Sequence, residues 1–547
     1  MRAPTFAFFK ACALLLCLFA PSAWMIATIP PLWRDADAYV QLTEDPLIAT
    51  FWSHAPAYCY AAKVPVFAGE QFERWRGNAP ARLETQTSQP SLTDSGIWLL
   101  IIAQHLALCG AAFYFIAAVS KFFSVRLALA LLWASNALFY IYAHCVGSET
   151  LGLILLVLLA GKALRLVSAR REARWTDWYV FALLLCFCLL SRHLNLGLFG
   201  LLPAAFLFSW ILNRIPLGSK NRRKLWLRRL RAKDLRHAVM AIAIGLACVA
   251  VTNLATQSLA RRSRAHPHSR IGFAFLWRLS FLDQLSPESR TALLQKVSAR
   301  TRSAGARQLI ALREQMLKEG ADLANTGPFL QRAIPLFGGE LHWEELDLAL
   351  NQMAFAFLLP PTPEHWHAAQ AEFARALKMP STETSHYLFA TTAYYFQHKD
   401  EMSACANLST FRSFNADEIL KLPSQHLYLR LWQGLSYNSA FVIWLISLAT
   451  FIVVARRKAL HLGAISAFGL TLTAFGLLIF AASCVLHEYE PRFALTMWQL
   501  TLLSLYLFLG RTADLLLKPG FTWRPTGPKQ SAGQRLPRNR SGLPKLD

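Results

Sequence analysis

Residues 96–118 read GIWLLIIAQHLALCGAAFYFIAA, 23 residues without one Asp, Glu, Lys or Arg. A hydrocarbon core about 30 Å thick takes roughly 20 residues of α-helix to cross. Lipid offers no partner to a backbone N–H or C=O, so such a run must satisfy its own amides as a helix. Working outward from it, similar apolar runs fall near 11–29, 127–145, 150–167, 178–191, 195–213, 238–258, 436–455, 463–486 and 494–510. This predicts an all-α polytopic membrane protein with about ten transmembrane helices. Composition agrees: 547 residues are 54% hydrophobic and 16% charged, with mean hydropathy +0.31, whereas soluble chains carry about a quarter charged residues.

The net charge of +24 would suggest nucleic acid on a soluble protein. Its placement argues against a nucleic-acid partner. Basic residues cluster between apolar runs, as at Arg170–Arg171, Arg222–Arg223–Lys224, Arg228–Arg229 and Arg456–Arg457–Lys458. The positive-inside rule reads these as cytoplasmic loops that also meet anionic membrane lipids. With Arg2 and Lys10 inside, the runs alternate without conflict, N-in and C-in, as in a multi-pass protein of a bacterial inner (cytoplasmic) membrane. The first run is expected to be an uncleaved anchor rather than a signal peptide, because apolar character continues through Trp24–Ile29.

Four regions follow: an N-terminal membrane module, 1–258, with a first outer loop at 30–95; a soluble periplasmic domain, 259–435, inserted between the seventh and eighth helices; C-terminal membrane helices, 436–510; and a basic tail, 511–547, whose composition predicts disorder. The inserted domain reads as helical. Ser286-Pro-Glu288 and Thr362-Pro-Glu364 are helix starts, with a cap residue, Pro in the first turn and then an acid. Its histidines His342, His365 and His367 are expected to be exposed and to bind neither metal nor sugar. Of ten cysteines, only Cys59 and Cys405 fall in long outer loops, and no C-x-x-C pair suggests a metal or redox site.

Acidic residues beside a membrane are costly and usually functional. Trp33-Arg34-Asp35-Ala36-Asp37 places two carboxylates at the outer lip of the first helix. The pair could ligate a divalent cation, or split roles, one carboxylate acting as a base and the other held by Arg34; it could also be a solvated loop start. Leu47, Ile48, Phe51 and Trp52 follow at the spacing of a helix lying on the membrane surface, and then Ser53-His54-Ala55-Pro56-Ala57-Tyr58.

This order of a first transmembrane helix, an outer loop with D-x-D, a surface helix and an H-x-P-x-Y element resembles the GT-C superfamily of polyprenyl-phosphate-sugar-dependent membrane glycosyltransferases. The resemblance covers roughly the first 210 residues. It implies a lipid-linked sugar donor, with a glycan, lipid or protein acceptor, and a first-loop carboxylate as base: Asp37 is preferred over Asp35. It implies substrate contacts at His54; at Glu149, facing the first-loop acids; at Arg192 and His193, near the donor phosphate; and at Glu490 and Arg492, in an aromatic and basic turn. Each has a plainer reading: Glu149 as an acid at a helix N-terminus, Arg192 as a snorkelling side chain, Arg492 as an interfacial anchor. Any divalent cation would fall to Asp35, Asp37 and Glu149; no other cofactor is implied. Similar proteins often carry a soluble domain after their helices, whereas this chain inserts its own between them. A transporter, a flippase or polymerase of lipid-linked glycans, and a noncatalytic scaffold are the competing expectations.

Overall fold

The computed structural model describes residues 2–34, 56–78, 93–168, 173–212, 222–262, 271–320, 326–339, 343–397, 408, 415–431, 434–457, 463–488 and 490–517. The N-terminal half runs α1 (Arg2–Thr28), β1 (Leu32–Trp33), α2 (Pro56–Trp75), α3 (Asp94–Val119), α4 (Phe123–Ala134), α5 (Ala137–Ala143), β2 (Cys145–Val146), α6 (Ser148–Ser168), α7 (Trp175–Ser191), a 3-10 turn (His193–Gly200), α8 (Leu201–Leu212) and α9 (Arg222–Arg262). The segment after α9 holds α10 (Ile271–Arg278), α11 (Pro287–Arg300), α12 (Ala304–Lys318), α13 (Thr326–Leu336), α14 (Trp343–Leu358), α15 (Pro363–Lys378), α16 (Ser381–Gln397), α17 (Ala416–Gln425) and α18 (Leu427–Arg430). The chain then continues as α19 (Tyr437–Arg457), α20 (Gly463–Leu486), a short 3-10 turn (Pro491–Phe493) and α21 (Ala494–Leu517).

Among the described residues, eight helical segments are long and apolar enough to cross a membrane: Phe8–Thr28, Asp94–Val119, Ser148–Ser168, Leu194–Leu212, Asp234–Ser258, Tyr437–Arg456, Gly463–Leu486 and Pro491–Leu517. The run expected at 127–145 is a broken one: α4 and α5 meet at 65°. Asn136 causes the break, since its side chain accepts from the Leu138 amide at 3.1 Å and so caps a new helix. The run expected at 178–191 is α7, a shorter apolar helix of 17 residues.

Contacts sort the helix ends into two sets. At one end, Ser120 after α3 meets Asp514 of α21, Lys162 of α6 meets Asp177 of α7 at 2.6 Å, and Ser209 of α8 meets Asp234 of α9 at 2.9 Å. There Arg126 and Arg511 donate to the last carbonyls of α3, at Ser120, Ala117 and Ala118, which also suits the negative end of that helix. The opposite ends of α1, α6, α7 and α20 gather around Arg34, Glu149, Arg192 and Glu490.

The segment from α10 to α18 divides by packing. α10 to α14 enclose a core of their own, built on Phe275, Leu294, Leu309, Phe329, Leu350 and Phe357. α16, α17 and α18 instead contribute Leu388, Phe389, Ile419 and Leu429 to the core of the membrane helices. Ser286 caps α11, accepting from the Ser289 amide at 3.3 Å, and Thr362 precedes α15, which starts at Pro363 as expected. His365 departs from expectation. It is buried rather than exposed, and its Nε2–H donates to the Val485 carbonyl at the end of α20, 2.9 Å away. Arg278, fully buried, pairs with Glu372 at 2.5 Å and joins α10 to α15 at the same seam.

The first described helix after β1 is α2, Pro56–Trp75. The expected stretch at Leu47–Trp52 lies outside the described residues. Tyr60, Val64, Phe67 and Trp75 of α2 share one exposed face, as on an interfacial helix. Its other face crosses the start of α3 with backbones in contact: a Cβ on Gly69 would lie 2.2 Å from Gly96 Cα. Cys59 is buried on α2, and Cys405 lies outside the described residues.

Candidate functional site: a buried arginine–glutamate cluster

Four of the residues singled out in the sequence come together: Glu149, Arg192, Glu490 and Arg492. Arg34 joins them. Glu149 stands in the first turn of α6, where the helix dipole favours an acid. Its Oε1 receives Arg34, with Arg192 at 3.5 Å and Arg492 at 3.6 Å. Glu490 pairs with Arg492 and stands 3.9 Å from Arg34. Tyr387 of α16 donates its hydroxyl to Glu490 at 3.1 Å. Among the described residues, three guanidiniums thus face these two carboxylates. Arg34 and Glu149 are 2% and 3% exposed at the side chain, so each charge is stable there only because it is paired.

Local structure explains how each member arrives. Arg34 follows β1, which pairs in parallel with β2, Leu32 with Cys145 and Trp33 with Val146. Beneath that ladder a polar spine holds the exit of α1. His144 Nε2 lies 2.9 Å from the Ile29 carbonyl, His144 Nδ1 lies 3.0 Å from His105 Nε2, and His105 Nδ1 lies 2.9 Å from Ser22 Oγ. A carbonyl only accepts, so one set of neutral tautomers satisfies all three contacts, with the protons pointing from Ser22 towards Ile29.

The turn before Glu149 is fixed by α2 and α3. Gln104 donates to the Ala143 and Cys145 carbonyls at 3.0 and 3.1 Å, and accepts from the Tyr58 hydroxyl at 3.2 Å. That hydroxyl accepts in turn from the Gly147 amide at 3.0 Å. Tyr58, the last residue of the H-x-P-x-Y element, is therefore a clamp on the Glu149 turn.

Arg192 occupies the extended residue between α7 and the 3-10 turn. Asn195 closes that turn by donating to the Cys188 carbonyl at 3.0 Å. Rather than snorkelling to headgroups, Arg192 lies along α6 and is 9% exposed. Gly152 makes the room: a Cβ there would fall 2.9 Å from Arg192 Cδ. Glu490 and Arg492 follow the C-terminal end of α20, where His487 stacks on Trp277 at 5.9 Å and packs edge-on against Phe493 at 4.9 Å. Burial, with Arg34 and Arg278 nearby, holds the His487 imidazole down at about 4.

Asp35, Asp37 and His54 lie outside the described residues, as does the expected pairing of Asp35 with Arg34. His193 begins the 3-10 turn, and its side chain lies outside the described residues. Among the described residues there is no group of three or more His, Cys, Asp or Glu that could hold a metal ion. Of the three residues expected to share any divalent cation, only Glu149 is among the described residues.

Tyr387, Thr392, Tyr58 and Gln104 were not singled out as site residues from the sequence. The first two come from the inserted segment, and only the docking of α16 brings them here. The chain matches no protein-family model and no curated protein.

Proposed function

We propose that this protein is a membrane glycosyltransferase of GT-C type. It would move a sugar from a polyprenyl-phosphate carrier to a glycan, lipid or protein acceptor on the outer face of the inner membrane. The observation that carries the reading is the convergence of Arg34, Arg192 and Arg492 on Glu149 and Glu490; Asp35 and Asp37 follow Arg34 in the sequence. In this reading the chain crosses the membrane ten times, N-in and C-in, with the cluster on the periplasmic side.

The chemistry needs little more than these groups. The acceptor hydroxyl attacks the anomeric carbon, and its proton passes to Asp37, or to Asp35. The bond from that carbon to the phosphate oxygen breaks, and its electron pair leaves with the lipid phosphate. Attack in line with the leaving group inverts the anomeric centre. A phosphate already leaves well, so it needs charge stabilisation more than protonation, which Arg192 and Arg492 supply. Glu149 and Glu490 hold those guanidiniums in place until the phosphate arrives.

The test is transfer from a labelled polyprenyl-phosphate sugar by the full chain in proteoliposomes. Asp37→Asn should abolish transfer, and Asp35→Asn should reduce it. Full activity in both variants would overturn the assignment. One observation favours a second reading: α4 and α5 form a broken span, as transporters often have. Uptake of an intact lipid-linked glycan into sealed vesicles, without any covalent product, would select that reading.

A further inference from the structure

Thr392 of α16 is fully buried against the strand that delivers Arg34. The Trp33 amide donates to its hydroxyl oxygen at 2.8 Å. The hydroxyl proton is shared between the Trp33 carbonyl at 3.0 Å and the Leu388 carbonyl at 2.6 Å. One side chain therefore engages both backbone groups of the residue immediately before Arg34. Just over a turn earlier on the same helix, Tyr387 holds Glu490, the second carboxylate of the cluster. Arg34 and Glu490 reach the site from opposite ends of the chain, and α16 is tied to both.

We infer that Thr392 and Tyr387 are positioning residues, through which the inserted outer segment sets the geometry of the arginine cluster. Neither touches the reacting groups in the proposed chemistry. Thr392 fixes the height of the Arg34 backbone against β2. Tyr387 fixes Glu490, and through it Arg492. The site is complete only while α16 is docked, so whatever engages the outer segment acts on the cluster through this helix. The ligand in this inference rests on the proposed function, whereas the coupling itself does not.

Two measurements on the full chain in nanodiscs separate the two. The first is hydrogen exchange at residues 32–34. Thr392→Val keeps the side-chain shape but removes both hydrogen bonds, and should speed exchange there by about tenfold; Thr392→Ser should restore the wild-type rate. The second is binding of a polyprenyl monophosphate. Thr392→Val and Tyr387→Phe should each weaken it by about tenfold, while Thr392→Ser binds as wild type does. Tyr387→Phe removes one half-buried oxygen and keeps a folded comparison if Thr392→Val does not fold. Wild-type exchange at 32–34 in Thr392→Val, or wild-type affinity in both Thr392→Val and Tyr387→Phe, would overturn the inference. A wild-type protein that does not bind the probe would count against the proposed function, and the exchange result would still decide the positioning role.

Discussion

Glu149 is the residue on which three cations depend. Removing one partner of a buried ion pair costs about 3–5 kcal/mol, because the remaining charge stays buried. Glu149→Gln should therefore lower the thermal unfolding temperature sharply in detergent. Glu149→Gln combined with Arg192→Gln should recover part of the loss, since it also removes one of the opposed charges. A Glu149→Gln protein as stable as wild type would mean the guanidiniums are not buried around it. His365 gives a pH signature. Burial, opposed by its bond to Val485 and reinforced by Arg278, holds it at about 4, below the ordinary value near 6.5. The folded state keeps the ring neutral while the unfolded chain binds a proton sooner. Stability from this source is complete above about pH 6.5 and is lost as pH falls towards 4, by up to about 3 kcal/mol. Unfolding temperatures measured across that window should fall for wild type and fall less steeply for His365→Gln, which leaves the His487 contribution in place.

At the scale of elements, close backbone approaches explain why glycines stand where they do. A Cβ on Gly69 would meet the Gly96 backbone at 2.2 Å, where no side chain can give way. Gly69→Ala should push α2 off α3, release the Tyr58 clamp on Gly147 and cost about 1–3 kcal/mol. Its expected readout is lower stability together with faster exchange at 145–149. The helices themselves were legible in the sequence, because desolvation imposes a run of fixed length whatever packs around it. Glu149, Arg192, Glu490 and Arg492 were legible for a related reason, as charges stranded at the ends of apolar runs. The break at Asn136 was hidden, since α4 and α5 together still have the length of one span. So was the role of α16: Trp33 and Thr392 are 359 residues apart, and no local pattern encodes that contact. His365 was misjudged as exposed because its burial comes from the end of α20, not from its own helix.

For the whole molecule, the two sets of helix ends give the chain a sidedness that the basic loops then orient. In right-side-out vesicles, added protease should cleave the outer segment and spare a tag placed after Asp547; cleavage of the tag alone would invert the topology. In the proposed reading the cluster faces the leaflet that carries the lipid-linked donor, under a segment whose second half packs into the core of the membrane helices. The role proposed for it, to meet the phosphate of that donor, is tested by the initial rate of transfer in Arg492→Lys and Arg192→Gln. Losing one stabilising donor at a developing charge costs about 10²–10³ in rate. We expect a loss of that order in kcat/KM for each variant, with unfolding temperature close to wild type for Arg492→Lys, which keeps its charge. Transfer at the wild-type rate in both would show that the phosphate is bound elsewhere and that the arginine cluster is only a structural knot.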